Sequence, residues 1–134
     1  MVTIGSTVSI RIPVGDETVT FICRRPSASE HSKFLRDRFE AKGRKMQNHL
    51  YEAREALIDK ILVDVQGAEF ETAEGIGVAL NNKTTLNDAD VAKWSGLLGV
   101  QVTSWKDLIP ASWKSSAAMR FEDAQPDDEA DEKN

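Results

Sequence analysis

The stretch from Ser27 to Val65 constrains the fold of this 134-residue chain more than any other. Ser27 is followed three residues later by Glu30, which is the spacing of a capping box at the start of a helix. Apolar residues then recur at helical spacing, within an arc of roughly 80° in a helical projection. They are Leu35, Phe39, Met46, Leu50, Ala53, Leu57 and Ile61. The pattern predicts one long amphipathic helix over 27–65, in which Gly43 marks either a kink or a reversal of the chain.

The length of this predicted helix indicates a role in binding. About 38 residues extend roughly 57 Å at ~1.5 Å per residue, whereas a domain of this size is roughly 36 Å across. A continuous helix must therefore project, and its apolar stripe then needs a partner. The end from Leu57 to Val65 is apolar over a wide arc and is expected in the core. The basic first half is expected to be exposed, and we predict partner contact there through Phe34, Leu35, Arg38 and Phe39.

The rest of the chain predicts an α+β fold that is mainly helical. Alternating apolar residues on both sides of a Gly15–Asp16 turn predict a β-hairpin over 7–24. Residues 68–85 are interrupted by glycine and asparagine and are expected to form a loop with one short element at most. Caps at Asn87 and Ser104 predict two to three shorter helices within 87–122. We expect a single globular domain over 1–123, followed by a disordered acidic tail over 124–134.

No constellation of residues typical of catalysis, metal binding or cofactor binding occurs in the sequence. Cys23 alternates with Val19 and Phe21, so it is expected to pack as a small apolar strand residue. The two histidines of the chain lie 18 positions apart, and neither has a second metal ligand at a typical spacing. Gly75 and Gly77 lack the third glycine of a dinucleotide-binding loop. We therefore predict a protein that is not an enzyme and has no cofactor.

Charge is distributed unevenly along the chain, although the formal net charge is only −5. Basic residues dominate 24–45, and acidic residues dominate the chain from 122 onward. The basic face could neutralise phosphates, so a small nucleic-acid-binding regulator is an alternative function. Asp37 and Glu40 interrupt this face, which favours an acidic protein partner or solvent. One cysteine, no apolar run near ~20 residues and no signal-peptide pattern indicate a cytoplasmic protein without a membrane segment.

The layout of the chain resembles that of the tail assembly chaperones of long-tailed bacteriophages and prophages. The resemblance covers residue 8 to about residue 123 and includes the N-terminal hairpin and a following helix rich in arginine and phenylalanine. It also rests on three segments: FICRRP at 21–26, LIDKILVDVQG at 57–67 and WKDLIPASWK at 105–114.

This resemblance implies a non-enzymatic chaperone in the cytoplasm of the host bacterium. Such proteins bind the long tape measure protein, keep it soluble until tail tube subunits polymerise around it, and are absent from the mature virion. In many phages a frameshifted longer form carries an extra C-terminal domain, which here would begin at the acidic tail. The tail tube protein and a second copy of this chain stay open as further partners. The family has no invariant site to transfer, so the contact residues above rest on the sequence pattern alone.

Overall fold

The computed structural model describes residue 1 and residues 4–40 and 46–121, without the side chains of 38–40 and 46–49. In these ranges, two sheets, four α-helices and one 3-10 helix make up an α+β fold. The first half contains β1 (Thr7–Val14), β2 (Glu17–Arg24), α1 (Ala28–Glu40), α2 (Met46–Ile61) and β3 (Leu62–Gln66). The second half contains β4 (Glu69–Glu71), β5 (Gly77–Ala79), α3 (Asp88–Leu98), a 3-10 helix (Trp105–Leu108) and α4 (111–121). The tail predicted to be disordered lies outside the described residues.

The N-terminal hairpin predicted over 7–24 is confirmed. β1 and β2 pair in antiparallel register from Thr7 opposite Arg24 to Val14 opposite Glu17. Gly15 has a φ of +61° at the first position of the two-residue turn, a backbone conformation that suits glycine and a tight hairpin. Alternate residues of both strands face the core: Ile10, Ile12, Val19, Phe21 and Cys23 are all buried.

The predicted single helix over 27–65 is wrong, because its end is a strand and its two parts pack against each other. Its start is correct: Ser27 and Glu30 form both hydrogen bonds of a capping box, at 2.8 and 3.1 Å. α1 lies against α2, with residues 30–37 facing residues 53–60, so the chain reverses between the two helices. Gly43 itself lies outside the described residues.

Strand β3 replaces the last turn of the predicted helix. Leu62–Gln66 pairs antiparallel with β2, and a bulge at Ile22 and Cys23 leaves Val63 as an extra residue. Leu62 and Val65 still point into the core, as the helical pattern also required, but Val63 is exposed. Residues 62–66 form a strand and not a helical turn because the strand provides hydrogen-bond partners for the edge of β2. A helix at these residues would leave that edge open.

Helix α2 forms the centre of the core, between the sheet and the C-terminal elements. Ile58 and Ile61 are fully buried, and α2 packs on β2. On the C-terminal side, Asp59 accepts a hydrogen bond from Lys106 Nζ at 2.9 Å through its carbonyl oxygen, and its carboxylate pairs with Lys114 Nζ at 2.7 Å. Ala117, Ala118 and Phe121 of α4 complete the core.

The predicted loop over 68–85 contains a second hairpin, formed by β4 and β5. The caps after it lie where the sequence indicated them. Asn87 accepts a hydrogen bond from the Asp90 N–H at 2.8 Å, and Gly99 ends α3 in the left-handed conformation. Ser104 and Asp107 form a capping box on the 3-10 helix.

We expect Gly67→Ala to lower the free energy of unfolding by about 1–3 kcal/mol. Gly67 has a φ of +85° as it follows β3, and a Cβ there would lie 2.8 Å from the backbone oxygen of Thr18. Chemical denaturation measures the change. The matched control is Gly96→Ala within α3, where a Cβ meets nothing within 4 Å; it should raise stability by about 0.5–1 kcal/mol. Equal effects of the two substitutions would contradict this close approach.

Candidate functional site

Of the four residues predicted to contact a partner, the structure describes the side chains of Phe34 and Leu35. Phe34 is only 5 % exposed and belongs to the core, which corrects the prediction for that residue. Leu35 is half-buried and packs against the core. Arg38 and Phe39 lie in α1, but their side chains are outside the described part of the chain. The physical reason for the burial of Phe34 is the return of α2, whose Ala53 and Leu57 face it.

Ion pairs engage part of the basic face at the start of α1. The guanidinium of Arg24 donates to both carboxylate oxygens of Glu30 at 2.7 Å, and Lys33 pairs with Asp37 at 2.7 Å. The hydrogen bonds from Arg24 and from the backbone N–H of Ser27 lower the pKa of Glu30 to about 2. Two of the cations predicted to meet phosphate are therefore paired within the chain.

An apolar groove of about 650 Å³ lies where β4, α3, the 3-10 helix and α4 meet. Buried side chains form its floor: Phe70, Leu80, Leu108 and Ile109. Trp94 and Trp113 are half-buried and line it, and the exposed Leu98 and Val100 continue its apolar surface. The groove therefore combines a buried apolar floor with apolar side chains that solvent can reach.

Hydrogen bonds to the β4–β5 hairpin hold the α3 side of this groove in place. Trp94 Nε1 donates to the backbone oxygen of Glu71 at 2.8 Å, and Lys93 Nζ donates to that of Thr72 at 2.7 Å. Asp90 is only 4 % exposed, and its carboxylate accepts from the Ala73 N–H at 2.7 Å. The first bond fixes the orientation of the Trp94 ring, and the other two hold α3 against the hairpin, so this side of the groove is preformed.

The charged residues that line the groove are mostly acidic: Glu55, Glu69, Glu71 and Asp107, against Lys114. Burial alone would raise the pKa of Asp107, but hydrogen bonds from the backbone N–H groups of Thr103 and Ser104 lower it below its usual value. A hydrogen bond from Lys93 likewise lowers the pKa of Glu71. Lys114 is paired with Asp59. The lining therefore carries net negative charge at neutral pH.

Cys23, the other residue considered for chemistry in the sequence, has a structural role. Cys23 is fully buried in β2, and this burial raises its pKa to about 12, so its thiol stays protonated and inaccessible. Within residues 4–40 and 46–121, no three His, Cys, Asp or Glu side chains cluster in a way that could hold a metal ion. No helix in these ranges is long and apolar enough to cross a lipid bilayer.

The groove could not be found from the sequence, although its residues carried a signal. The three tryptophans, Trp94, Trp105 and Trp113, are the largest apolar side chains in the sequence, and Trp94 and Trp113 line the groove. Its lining also includes residues from α2, β4 and the segment before α4, which no local pattern brings together. Comparisons with protein-family models, with curated proteins and with solved structures found no match for this chain.

The Glu30 ion pair predicts an acid-dependent loss of stability. Because the folded pKa of Glu30 lies near 2 and its ordinary value is 4.5, its contribution is fully present above pH 4.5. That contribution is lost as the pH falls from about 4.5 toward 2. Melting temperatures measured across this window should fall less steeply for Glu30→Gln than for the parent chain.

Asp37→Asn is the matched control for this measurement. It removes the exposed Lys33 pair farther along α1 and leaves the capping box of Ser27 and Glu30 intact. Its pH profile should stay closer to that of the parent chain than the Glu30→Gln profile does. Indistinguishable profiles for Glu30→Gln and the parent chain would contradict the role assigned to Glu30.

Proposed function

We propose that this chain is a non-enzymatic tail assembly chaperone that binds the tape measure protein and keeps it soluble during tail assembly in the host cytoplasm. The observation that carries the proposal is the apolar groove between α3 and α4, with its acidic lining. The resemblance of the chain to phage tail assembly chaperones supplies the identity of the partner. The same proposal implies that the chaperone leaves before the virion is complete.

The groove suits a helical apolar segment better than a small molecule. It is open to solvent along Leu98 and Val100, and Leu97, which is 66 % exposed, lies beside them in the chain. A helix that presents apolar residues at i, i+3, i+4 and i+7 can lay them along such a groove. Binding of this kind is reversible burial without covalent chemistry, which is what a chaperone that must later release its partner requires.

The contact predicted at the first helix is kept as a secondary site. Leu35, Arg38 and Phe39 stay a prediction, whereas Phe34 no longer belongs to an exposed surface because it packs in the core. The tail tube protein as a further partner, and a frameshifted longer form, also stay predictions. The groove takes precedence because its apolar lining is open to solvent.

Val100→Glu should weaken the solubilising effect without unfolding the chain. Val100 is 61 % exposed at the groove, so a carboxylate there adds charge to the docking surface and to an already acidic lining. We expect at least a tenfold loss of affinity for the tape measure protein, equivalent to about 1.4 kcal/mol. Co-expression with the tape measure protein, followed by measurement of its soluble fraction, tests this.

The matched control is Ile76→Glu, because Ile76 is also 61 % exposed and does not line the groove. This variant should keep the tape measure protein as soluble as the parent chain does. The proposal fails if the tape measure protein is equally soluble, or equally insoluble, with and without the parent chain. Equal effects of the two variants would remove the groove as the binding site.

The alternative function, a nucleic-acid-binding regulator, rests on the basic face over 24–45. Arg36 is exposed there, but Arg24 and Lys33 are engaged by carboxylates. This function requires binding that weakens steeply with salt, and charge reversal at Arg36 and Arg38 should reduce the log–log slope. Absence of binding to duplex or single-stranded DNA and RNA in low salt would eliminate it.

A further inference from the structure

The outer edge of β1 presents backbone hydrogen-bonding groups that the described sheet does not use. The strand order is β1-β2-β3, so β1 is an edge strand of eight residues. The two-residue turn makes Val14 and Glu17 the first hydrogen-bonded pair of the hairpin. From this pair the bonds alternate, so β1 directs the N–H and C=O groups of three residues away from β2. These are Thr7, Ser9 and Arg11, all exposed.

The other edge of the same sheet is protected. On β3, the carboxylate of Asp64 accepts hydrogen bonds from the N–H of Val65 at 2.8 Å and from that of Asn82 at 2.9 Å. The segment at Asn82 therefore lies against this edge, in the manner in which proteins block unwanted strand pairing. Across the described part of the chain, β1 has no such cover. The eight-residue edge of β1 is therefore open to a strand partner within the part of the chain that the structure describes.

We propose that a second copy of this chain pairs with β1 through this edge, antiparallel and two-fold symmetric, with Ser9 opposite Ser9 of the second copy. The pairing joins two three-stranded sheets into one of six strands. Two-fold symmetry is the commonest symmetry of dimers, and it places the same edge of both copies in the interface. In this register Thr7 lies opposite Arg11, so the two Arg11 guanidinium groups are kept apart.

Pro13 disfavours the registers in which it lies opposite another outward-facing residue of β1. Proline has no N–H, so the carbonyl opposite it in the second copy receives no hydrogen bond from it. With Ser9 opposite Ser9, Pro13 faces Gly5, whose carbonyl oxygen already accepts a hydrogen bond from Arg25 Nε at 2.9 Å. Sliding the second copy by two or four residues in one direction places Pro13 opposite Thr7 or Ser9, whose carbonyls would then lack a donor.

The same register also covers apolar surface that the single chain leaves open. It sets Ile4, which is 82 % exposed, opposite the half-buried Val14 of the second copy. It likewise sets Val8 opposite Ile10, which extends the buried face of one sheet into that of the other. The association shares no residue with the groove, so it does not depend on the proposed function. Val100→Glu should leave it unchanged.

Sedimentation velocity of the full chain over a range of concentrations tests the association. We expect a monomer–dimer equilibrium for the parent chain and for Ser9→Ala, which keeps the backbone N–H. Ser9→Pro removes an outward N–H that the chain's own sheet does not use, so it should fold normally by circular dichroism. It should raise the dimer dissociation constant at least tenfold. A parent chain that stays monomeric at every concentration, or a folded Ser9→Pro variant that dimerises equally well, would overturn the proposal.

Cysteine cross-linking tests the register independently of the proline variant. Ser9→Cys should form a disulfide-linked dimer under mild oxidation, because directly opposite residues in a hydrogen-bonded pair have Cα atoms about 5.5 Å apart. Arg11→Cys should not, because its two copies would lie about 14 Å apart along the strands. Cys23 does not interfere, since it is fully buried and its pKa is raised to about 12. Cross-linking of Arg11→Cys without Ser9→Cys would refute the register.

Discussion

The antiparallel pairing of β3 with β2 is the interaction on which the rest of the structure depends. It ends α2 at Ile61 and turns the chain back along the hairpin, with Val65 opposite Phe21 in the core. The geometry of this pairing lays α2 on the sheet, where Ile58 is fully buried. One face of α2 then receives α1, while Asp59 connects the helix to Lys106 and Lys114 of the C-terminal elements. The close approach of Gly67 to Thr18 follows from the same pairing.

This arrangement separates two kinds of surface in the chain. The groove at Trp94 and Trp113 offers apolar side chains and suits a partner that buries side chains. The edge of β1 offers backbone groups and suits a partner that adds a strand. We infer that the two surfaces act independently, since they share no residue.

Local signals in the sequence predicted more of the fold than long-range ones. The hairpin turn at Gly15, the capping box of Ser27 and Glu30 and the cap at Asn87 each involve residues within a few positions of one another, and each lies where predicted. The strand at Leu62–Gln66 was missed because Leu62 and Val65, three residues apart, satisfy the helical period as well. Only the edge of β2, about forty residues earlier in the chain, favours a strand over a helix at these positions, because it needs hydrogen-bond partners.

The candidate site was less predictable than the fold for the same physical reason. Phe34 stands among charged residues, so the sequence indicates exposure, but α2 returns to cover it. The groove collects Phe70, Leu98 and Trp113 from three elements, and no spacing in the sequence relates them. Within its acidic lining, the pKa of Glu71 is lowered by a hydrogen bond from Lys93, which lies 22 positions away in the sequence.

Hydrogen–deuterium exchange of the chain with and without the tape measure protein tests the central claim most directly. Exchange reports the protection of each backbone segment, and the described helices provide internal references. We expect added protection over 94–100 and 108–114, which border the groove, and unchanged exchange over 28–37 in α1. Protection confined to α1, with none around the groove, would contradict the account and return the contact to the first helix.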